Sequence, residues 1–505
     1  MRADRPNVLL LMADQLAASA LATYGHPVAR TPHLDALAAT AAVCERAYCN
    51  SPICAASRAS MMTGRLPSEI GVYDNGAELP AAVPTFCHAL RQGGYRTILS
   101  GKMHFVGPDQ LHGFDERRTP DIYPAGFDWT PDWGQGLVHN PGASVRRLAE
   151  SGPCAWSLQM DYDEDVAHEA VRVLYEQARH PDQPFLLCAS FTHPHDPFEI
   201  TPEYWDLYRD TEIPPPRTPA LALAAMPPYA RWVQVHHELD LFPPSPDTAL
   251  RARRAYLAMV SYLDVKIGQV LAALGGAGLA DDTVVIFTSD HGEMLGEHGM
   301  WYKRVFYEDA ARVPFIVRWP GQVRPRRIAP LVSLLDLAPT LCDLAGIQAS
   351  VPPALTRGFG GRSLVPLLRG DAVDRPEPVL AEYLGEGVIQ PCRMVRCGRY
   401  KYVFVRGEAP QLFDLAADPD ETVDLADRAD LAPVRAAMHA QAIAGFDPDA
   451  LYGAVVASQQ TRRALAGVPG RPNWDFVPPP PDPGQYVRGE TVPEAARRQR
   501  VDPRS

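Results

Sequence analysis

The residues with the most chemistry to offer begin at Cys54. In the stretch CNSPICAASRASMMTGR, residues 49 to 65, a thiol is followed four positions later by Arg58, one turn on if a helix starts there. A cysteine at a helix N-terminus beside a guanidinium has a lowered pKa, so thiolate reactivity is the first chemistry to consider. An unplaced cysteine is more often a small buried apolar residue. The companions of Cys54 change that balance. Asp14 and the pair Asp290–His291 supply hard oxygen ligands and one imidazole, a mixture suited to Ca²⁺, Mg²⁺ or Mn²⁺ rather than to thiolate-bound zinc. Gln15 adds an amide oxygen. Arg58, Lys102 and Lys303 can hold a tetrahedral oxyanion, arginine through its planar fork and lysine as a point charge. His104, His193 and His195 can move protons near neutral pH. Each of these has an ordinary alternative. A strand-end aspartate caps a loop, a single lysine or arginine is a surface charge, and a histidine in a His-Pro loop is structural. Together, acids for a hard metal and several cations point to an oxygen nucleophile attacking a sulfate or phosphate, not to a thiolate.

These residues are far apart in sequence, so a fold must gather them. NVLLLMAD is a short continuous apolar run ending in an acid, which suits a buried parallel strand. YRTILSGKMH, QPFLLCASFTHPHDPF and DDTVVIFTSDHGEMLGE repeat the pattern. Helical stretches lie between them. TPHLDALAATAAVCERA reads as one helix opened by Thr31 and Pro32. RRAYLAMVSYLDVKIGQVLAALGG reads as another, stopped by its glycine pair. The alternation predicts an α/β fold with a mixed, mostly parallel sheet flanked by helices. Ligands bind outside the carboxyl ends of such strands. Four strands here end at Asp14, Lys102/His104, His193/His195 and Asp290/His291, so their polar ends should converge on one edge.

At 505 residues the chain exceeds one ordinary core, and a large domain over 1–370 with a smaller unit after it is expected. Residues 371–465 change texture: CRMVRCGRYKYVFV and PQLFDLAADPDETVDLAD predict a small antiparallel sheet, and LAPVRAAMHAQAI a helix, making an α+β subdomain. Residues 466–505 form a proline-rich tail, expected to pack on the body or on a neighbouring subunit and so to support a dimer or tetramer. The net charge of −12, with both signs interspersed, argues against a nucleic-acid partner but not against an anionic substrate. Nine scattered cysteines without CxxC pairs argue against a disulfide scaffold and for a reducing compartment. No apolar run reaches the roughly 18 residues of a membrane span, and the N-terminus lacks a signal-peptide pattern. A cytoplasmic location is expected.

The five residues Cys54-Ala55-Ala56-Ser57-Arg58 resemble the signature of the type I sulfatases, in which the cysteine is oxidised to formylglycine. GKMH, THPHDP and SDHGE follow in the family's order, and the wider stretches SPICAASRASMMTGRLPSEIGVYDN and SDHGEMLGEHGMWYK look like its choline-sulfatase branch. Ala56 stands where proline is commoner. The resemblance implies an alkaline-phosphatase-like fold, maturation by a formylglycine-generating enzyme, and one divalent ion, calcium or manganese. It implies Asp14, Gln15, residue 54, Asp290 and His291 as ligands. By the same resemblance Arg58 orients the nucleophile, Lys102, His195 and Lys303 hold the sulfate and stabilise the leaving group, and His195 or Lys303 donates the proton. His104 assists release, and Asp290 takes a proton. The substrate implied is a small sulfate ester, choline-O-sulfate, held by Trp129, Asn75, His139 and the counter-charge Glu382. An aryl sulfate, or a phosphonate monoester or phosphodiester, is the alternative substrate. A non-catalytic metal- and anion-binding protein with an unmodified Cys54 is the alternative of another class.

Overall fold

Strand β1, Asn7–Ala13, is an unbroken apolar run because both of its faces are covered. Leu9, Leu11 and Ala13 enter one core cluster, and Val8, Leu10 and Met12 enter another, as alternate side chains of a strand must. In the computed structural model, which describes residues 5–371, 373, 375 and 378–468, this strand lies inside an eight-stranded sheet. The other members are β2 (Ala42–Cys44), β3 (Arg96–Gly101), β4 (Glu116–Arg117), β5 (Phe185–Ser190), β6 (Thr283–Ser289), β7 (Phe315–Arg318) and β8 (Arg326–Ile328). Their order in space is β8-β2-β7-β6-β1-β5-β3-β4, and β7 alone runs against the rest.

Helices α1 (Pro32–Ala39), α2 (Cys54–Thr63), α3 (Leu158–Gln177) and α4 (Pro246–Gly276) cover the faces of this sheet. Leu34, Val166 and Leu263 from α1, α3 and α4 meet on one face, and Met61 and Met62 from α2 lie on the other. By length and composition the 31-residue α4 could cross a membrane, but it is mostly buried against its neighbours and is a core helix. The single helix expected from Thr31 through Ala47 does not form. It stops at Ala39, and Ala42–Cys44 becomes β2. The alanine-rich run has helix propensity, but Val43 and Cys44 are needed between β7 and β8, and tertiary pairing overrides the weak local preference.

The C-terminal part carries β9 (Val379–Tyr383), β10 (Cys392–Cys397), β11 (Tyr400–Val405) and β12 (Gln411–Asp414), an antiparallel meander. Helix α5 (Ala432–Ile443) packs on it through Met438 and Ala442. Helix α6 (Pro448–Ala466) follows. Ala381, Met394 and Val403 of the small sheet share a core with Ile53 and Ala56 of the main body. The proline-rich tail expected to reach a neighbouring subunit lies outside the described residues, apart from its first few positions.

Strand register sets the positions of the polar ends. Ala13 pairs with Ser289, Met12 with Ser190, and Ser190 with Gly101. One step further along, Asp14, Asp290 and Lys102 emerge at the same edge. Gly101 is required there: its φ is +114°, and a Cβ would lie 2.0 Å from the Ser190 carbonyl oxygen. That close approach lets the Lys102 N–H donate to the Ser190 carbonyl at 2.9 Å.

Candidate active site

Helix α2 begins at Cys54, and Ile53 before it offers no side-chain cap. Asn75 supplies one instead, its Oδ1 accepting from the Ala55 N–H at 3.0 Å. Cys54 Sγ lies 3.3 Å from His291 Nε2 and 3.7 Å from Asp14 Oδ1. One turn on, Arg58 spreads its buried guanidinium beneath the strand ends. Nε donates to Asp290 Oδ2 at 2.7 Å and Nη2 to Asp14 Oδ2 at 3.2 Å. Nη1 donates to the Lys102 carbonyl at 2.6 Å and to Ser190 Oγ at 2.9 Å. The Lys102 ammonium contacts Asp14 Oδ2 and sits 4.1 Å from the Tyr123 ring centroid.

Metal-ligating atoms of Asp14, Cys54, Asp290 and His291 all lie within 4.8 Å of one another, and all four residues are buried. Two carboxylates, an imidazole and the substituent at position 54 suit a hard divalent ion. The two carboxylates are already balanced by Arg58 and Lys102. Gln15, at φ +63°, directs its amide oxygen to the Lys303 ammonium and its amide nitrogen to Glu293 and Asp196. Its oxygen is therefore next to the cluster but engaged by Lys303.

Burial pushes the Cys54 thiol up. Lys102, Lys303 and His291, with the nearby His104 ring, together outweigh burial and hold the thiol well below its usual value. Burial likewise disfavours the charged His291, but Asp290 and Cys54 raise it. Asp290 is raised by burial and brought below its ordinary value by Arg58 and His291. His104 is delivered by a loop with φ +58° whose N–H donates to Asp121 at 2.8 Å. The position stabilises negative charge at residue 54, whatever atom carries it.

The two histidines that spacing could not separate have different places. His193 is fully buried, its Nδ1 2.7 Å from Asp163, behind the site. His195 faces the cavity, with Nε2 2.7 Å from Lys303 Nζ and Tyr123 Oη 3.2 Å from Nδ1.

Cys54, His195 and Lys303 line a cavity of about 940 Å³ that opens past Trp129, Trp133 and His139. Trp129 is 42% exposed and packs against Tyr123 and His104, with centroids 5.1 and 5.7 Å apart. His139 lies at the rim, paired with Asp240 at 3.0 Å. Asn75 reaches the floor through its cap of α2.

Glu382 is a correction. It is fully buried in β9, where Oε1 accepts from Arg393 at 2.7 Å and the carboxylate takes the N–H and hydroxyl of Ser68, each at 2.9 Å. It does not line the cavity and has no free face for a ligand. Four residues on, Glu386 does line it. Oε1 of Glu386 accepts from Arg304 at 2.9 Å, while Oε2 is buried and has no hydrogen-bond partner among the described residues. Within LAEYLGEG, Glu386 and not the expected Glu382 faces the cavity. Tyr123, Arg147 and Arg304 also line the cavity and were not singled out by sequence. Tyr123 had one signal, its place in the aromatic stretch that includes Trp129.

A cationic pocket around a helix-borne cysteine, with hard donors at the carboxyl edge of this sheet, fits hydrolysis of an anionic ester. The chain belongs to the sulfatase family. The family model described as Sulfatase matches residues 6–347, and that described as N-sulphoglucosamine sulphohydrolase, C-terminal, matches residues 296–445. Helix α6 lies beyond both. The protein is a sulfuric ester hydrolase. It is 41% identical to choline-sulfatase of Rhizobium meliloti (strain 1021), over 98% of this chain and 99% of the relative. Arylsulfatase K of Gallus gallus is 30% identical over 84% of this chain and 79% of the relative. Among solved structures, phosphonate monoester hydrolase of Agrobacterium radiobacter superposes with a TM-score of 0.70 at 28% identity, covering 89% of this chain and 96% of the other.

Proposed function

We propose that this enzyme hydrolyses choline-O-sulfate to choline and sulfate, with residue 54 acting as a formylglycine made from Cys54 by a formylglycine-generating enzyme. One observation carries the reading: a single cavity joins cations around residue 54 to an aromatic ring, Trp129, and the Glu386 carboxylate further out. The first suits a sulfate. Trp129 and Glu386 suit an onium group, which wants an aromatic face and a counter-charge. Identity to a choline-sulfatase over nearly the whole chain supports the same ester. The scattered, odd-numbered cysteines support a reducing, cytoplasmic setting.

A hydrated aldehyde at residue 54 would supply an oxygen nucleophile; Asp14, Asp290, His291 and residue 54 would hold a divalent ion, calcium or manganese, whose charge would make that oxygen acidic. Gln15 becomes a further ligand if its amide oxygen leaves Lys303. Asp290 accepts the nucleophile's proton as the oxygen attacks sulfur. Arg58 keeps Asp14 and Asp290 in place meanwhile. Lys102 and Lys303 hold the sulfate oxygens and oppose their growing charge. The bond from sulfur to the alcohol oxygen breaks, and His195 gives that oxygen its proton, with Lys303 beside it. His104, next to residue 54, takes the proton of the remaining hydroxyl; the aldehyde C=O re-forms as the carbon–oxygen bond to sulfate breaks, and water rehydrates it. Asn75, Trp129, His139 and Glu386 bind and orient the alcohol part.

Two measurements test this. Relative kcat/KM for choline-O-sulfate, p-nitrophenyl sulfate and a phosphonate monoester under one metal condition should favour the first. Faster turnover of the aryl sulfate or the phosphonate would overturn the substrate assignment, and the solved phosphonate monoester hydrolase makes the latter the second reading. Mass spectrometry of the peptide spanning residue 54 should show the aldehyde in active enzyme. An intact thiol at full activity would overturn the nucleophile.

A further inference from the structure

Helix α6 lies outside the reach of both family models, yet it touches the outer wall of the cavity at several points. Arg462 is 6% exposed. Its Nη1 and Nη2 donate to Oδ1 and Oδ2 of the fully buried Asp74, each at 2.7 Å, and Nη1 also donates to Thr130 Oγ1 at 2.9 Å. Gln459 Oε1 accepts from the Trp133 N–H at 2.9 Å. Tyr452 stacks on Trp133, with centroids 5.8 Å apart.

Each of these contacts falls on the wall or one residue from it: Thr130 and Trp133 line the cavity. Asp74 precedes Asn75, the cap of the nucleophile helix. Thr130 follows Trp129. Trp133 Nε1 donates to the Gly385 carbonyl at 3.1 Å, and Glu386 comes next. The turn carrying Asn75 and the loop carrying Trp129 meet at main-chain contact: a Cβ on Gly76 would lie 2.7 Å from the Thr130 nitrogen. One guanidinium therefore sits where these two segments cross. A bidentate arginine–carboxylate pair fixes orientation as well as distance.

We propose that Arg462 is a specificity-determining positioning residue. By tying Asp74 to Thr130 it sets the spacing between the Asn75 side and the Trp129 side of the cavity, and so the alcohol the cavity accepts. The proposal rests on the reading above in taking that alcohol to be a small onium. A clamp that only stabilised the fold would change the amount of active enzyme and lower all substrates alike. A positioning residue changes the ratio between substrates.

The test compares wild type with Arg462→Lys, Arg462→Met and Thr130→Val, using kcat and KM for choline-O-sulfate and p-nitrophenyl sulfate. The ratio of the two kcat/KM values should fall by about tenfold in Arg462→Met and by about threefold in Thr130→Val, mostly through KM for the choline ester. Arg462→Lys should fall between wild type and Arg462→Met. Should Arg462→Met fail to fold, Thr130→Val and Arg462→Lys decide the matter. A ratio within about twofold of wild type in both, with both rates lowered, would overturn the proposal. The wild-type ratio separately tests the substrate. If wild type prefers another alkyl sulfate, the substrate reading falls, and the clamp is judged on that ester against the aryl sulfate.

Discussion

His236 lines the cavity beside Gly387 and is 5% exposed. Burial, with Arg304 nearby, lowers its pKa from 6.5 to about 3. Between those values the unfolded chain binds a proton at this ring and the folded chain does not. Stability from this residue is therefore present above pH 6.5 and is lost progressively as pH falls towards 3. At pH 5 the loss relative to pH 7 is about 2 kcal/mol. His236→Gln should show a smaller drop in unfolding free energy between pH 7 and pH 5 than wild type, measured by urea denaturation. Equal drops would refute the assignment. At this scale the gathering of Asp14, Cys54, Asp290 and Lys303 was legible in the sequence, from the joint occurrence of acids, cations and a cysteine at predicted strand and helix ends. It was not legible where orientation decides. Glu382 and Glu386 are the same residue four positions apart. Only the pairing of Glu382 with Arg393 across β9 and β10 shows which one turns away from the cavity.

The small sheet holds an element of the site in place. Lys401 of β11 is fully buried between Glu308 at 2.8 Å and Glu421 at 2.7 Å. It also donates to the Phe306 carbonyl at 2.8 Å, three residues after Lys303. Burial raises Glu421 to about 7 even against Lys401. Lys401→Met would leave the buried Glu421 without its cation and Glu308 with only Arg312, 3.7 Å away, among the described residues, and should cost about 3 kcal/mol. Denaturation midpoints measure it, and an unchanged midpoint would show that the ion cluster contributes nothing. Elements were read well where their patterns were continuous, as in β1, β6 and α4. The segment after Ala39 was misread because three alanine-rich residues carry no periodicity of their own. Their partners in β7 and β8 lie more than 250 residues further along.

At the scale of the whole molecule, a chain of net charge −12 gathers Arg58, Lys102 and Lys303 around residue 54, while carboxylates such as Asp196 and Glu386 line the same cavity further out. A divalent ion that binds only the folded state stabilises it by mass action, about 2.7 kcal/mol at a hundredfold excess over Kd. Chelation should abolish hydrolysis and lower Tm, and added calcium or manganese should restore both. A Tm indifferent to chelator and ion would tell against a metal at Asp14, Asp290 and His291. The convergence of strand ends on one edge was legible, since it follows from strand–helix alternation. The role of α6 was not, because Arg462 meets Asp74 across 388 residues and no local pattern announces such a contact.

Every residue of α2 is buried, Cys54 with 1% of its surface exposed at the bottom of the cavity. No second enzyme can grip that segment once the sheet has closed around it. Any covalent conversion of Cys54 is therefore a race against folding, won on the nascent chain or not at all. On the reading proposed above, molecules that fold before conversion would keep a thiol at residue 54, and supplying the maturing activity afterwards would not rescue them.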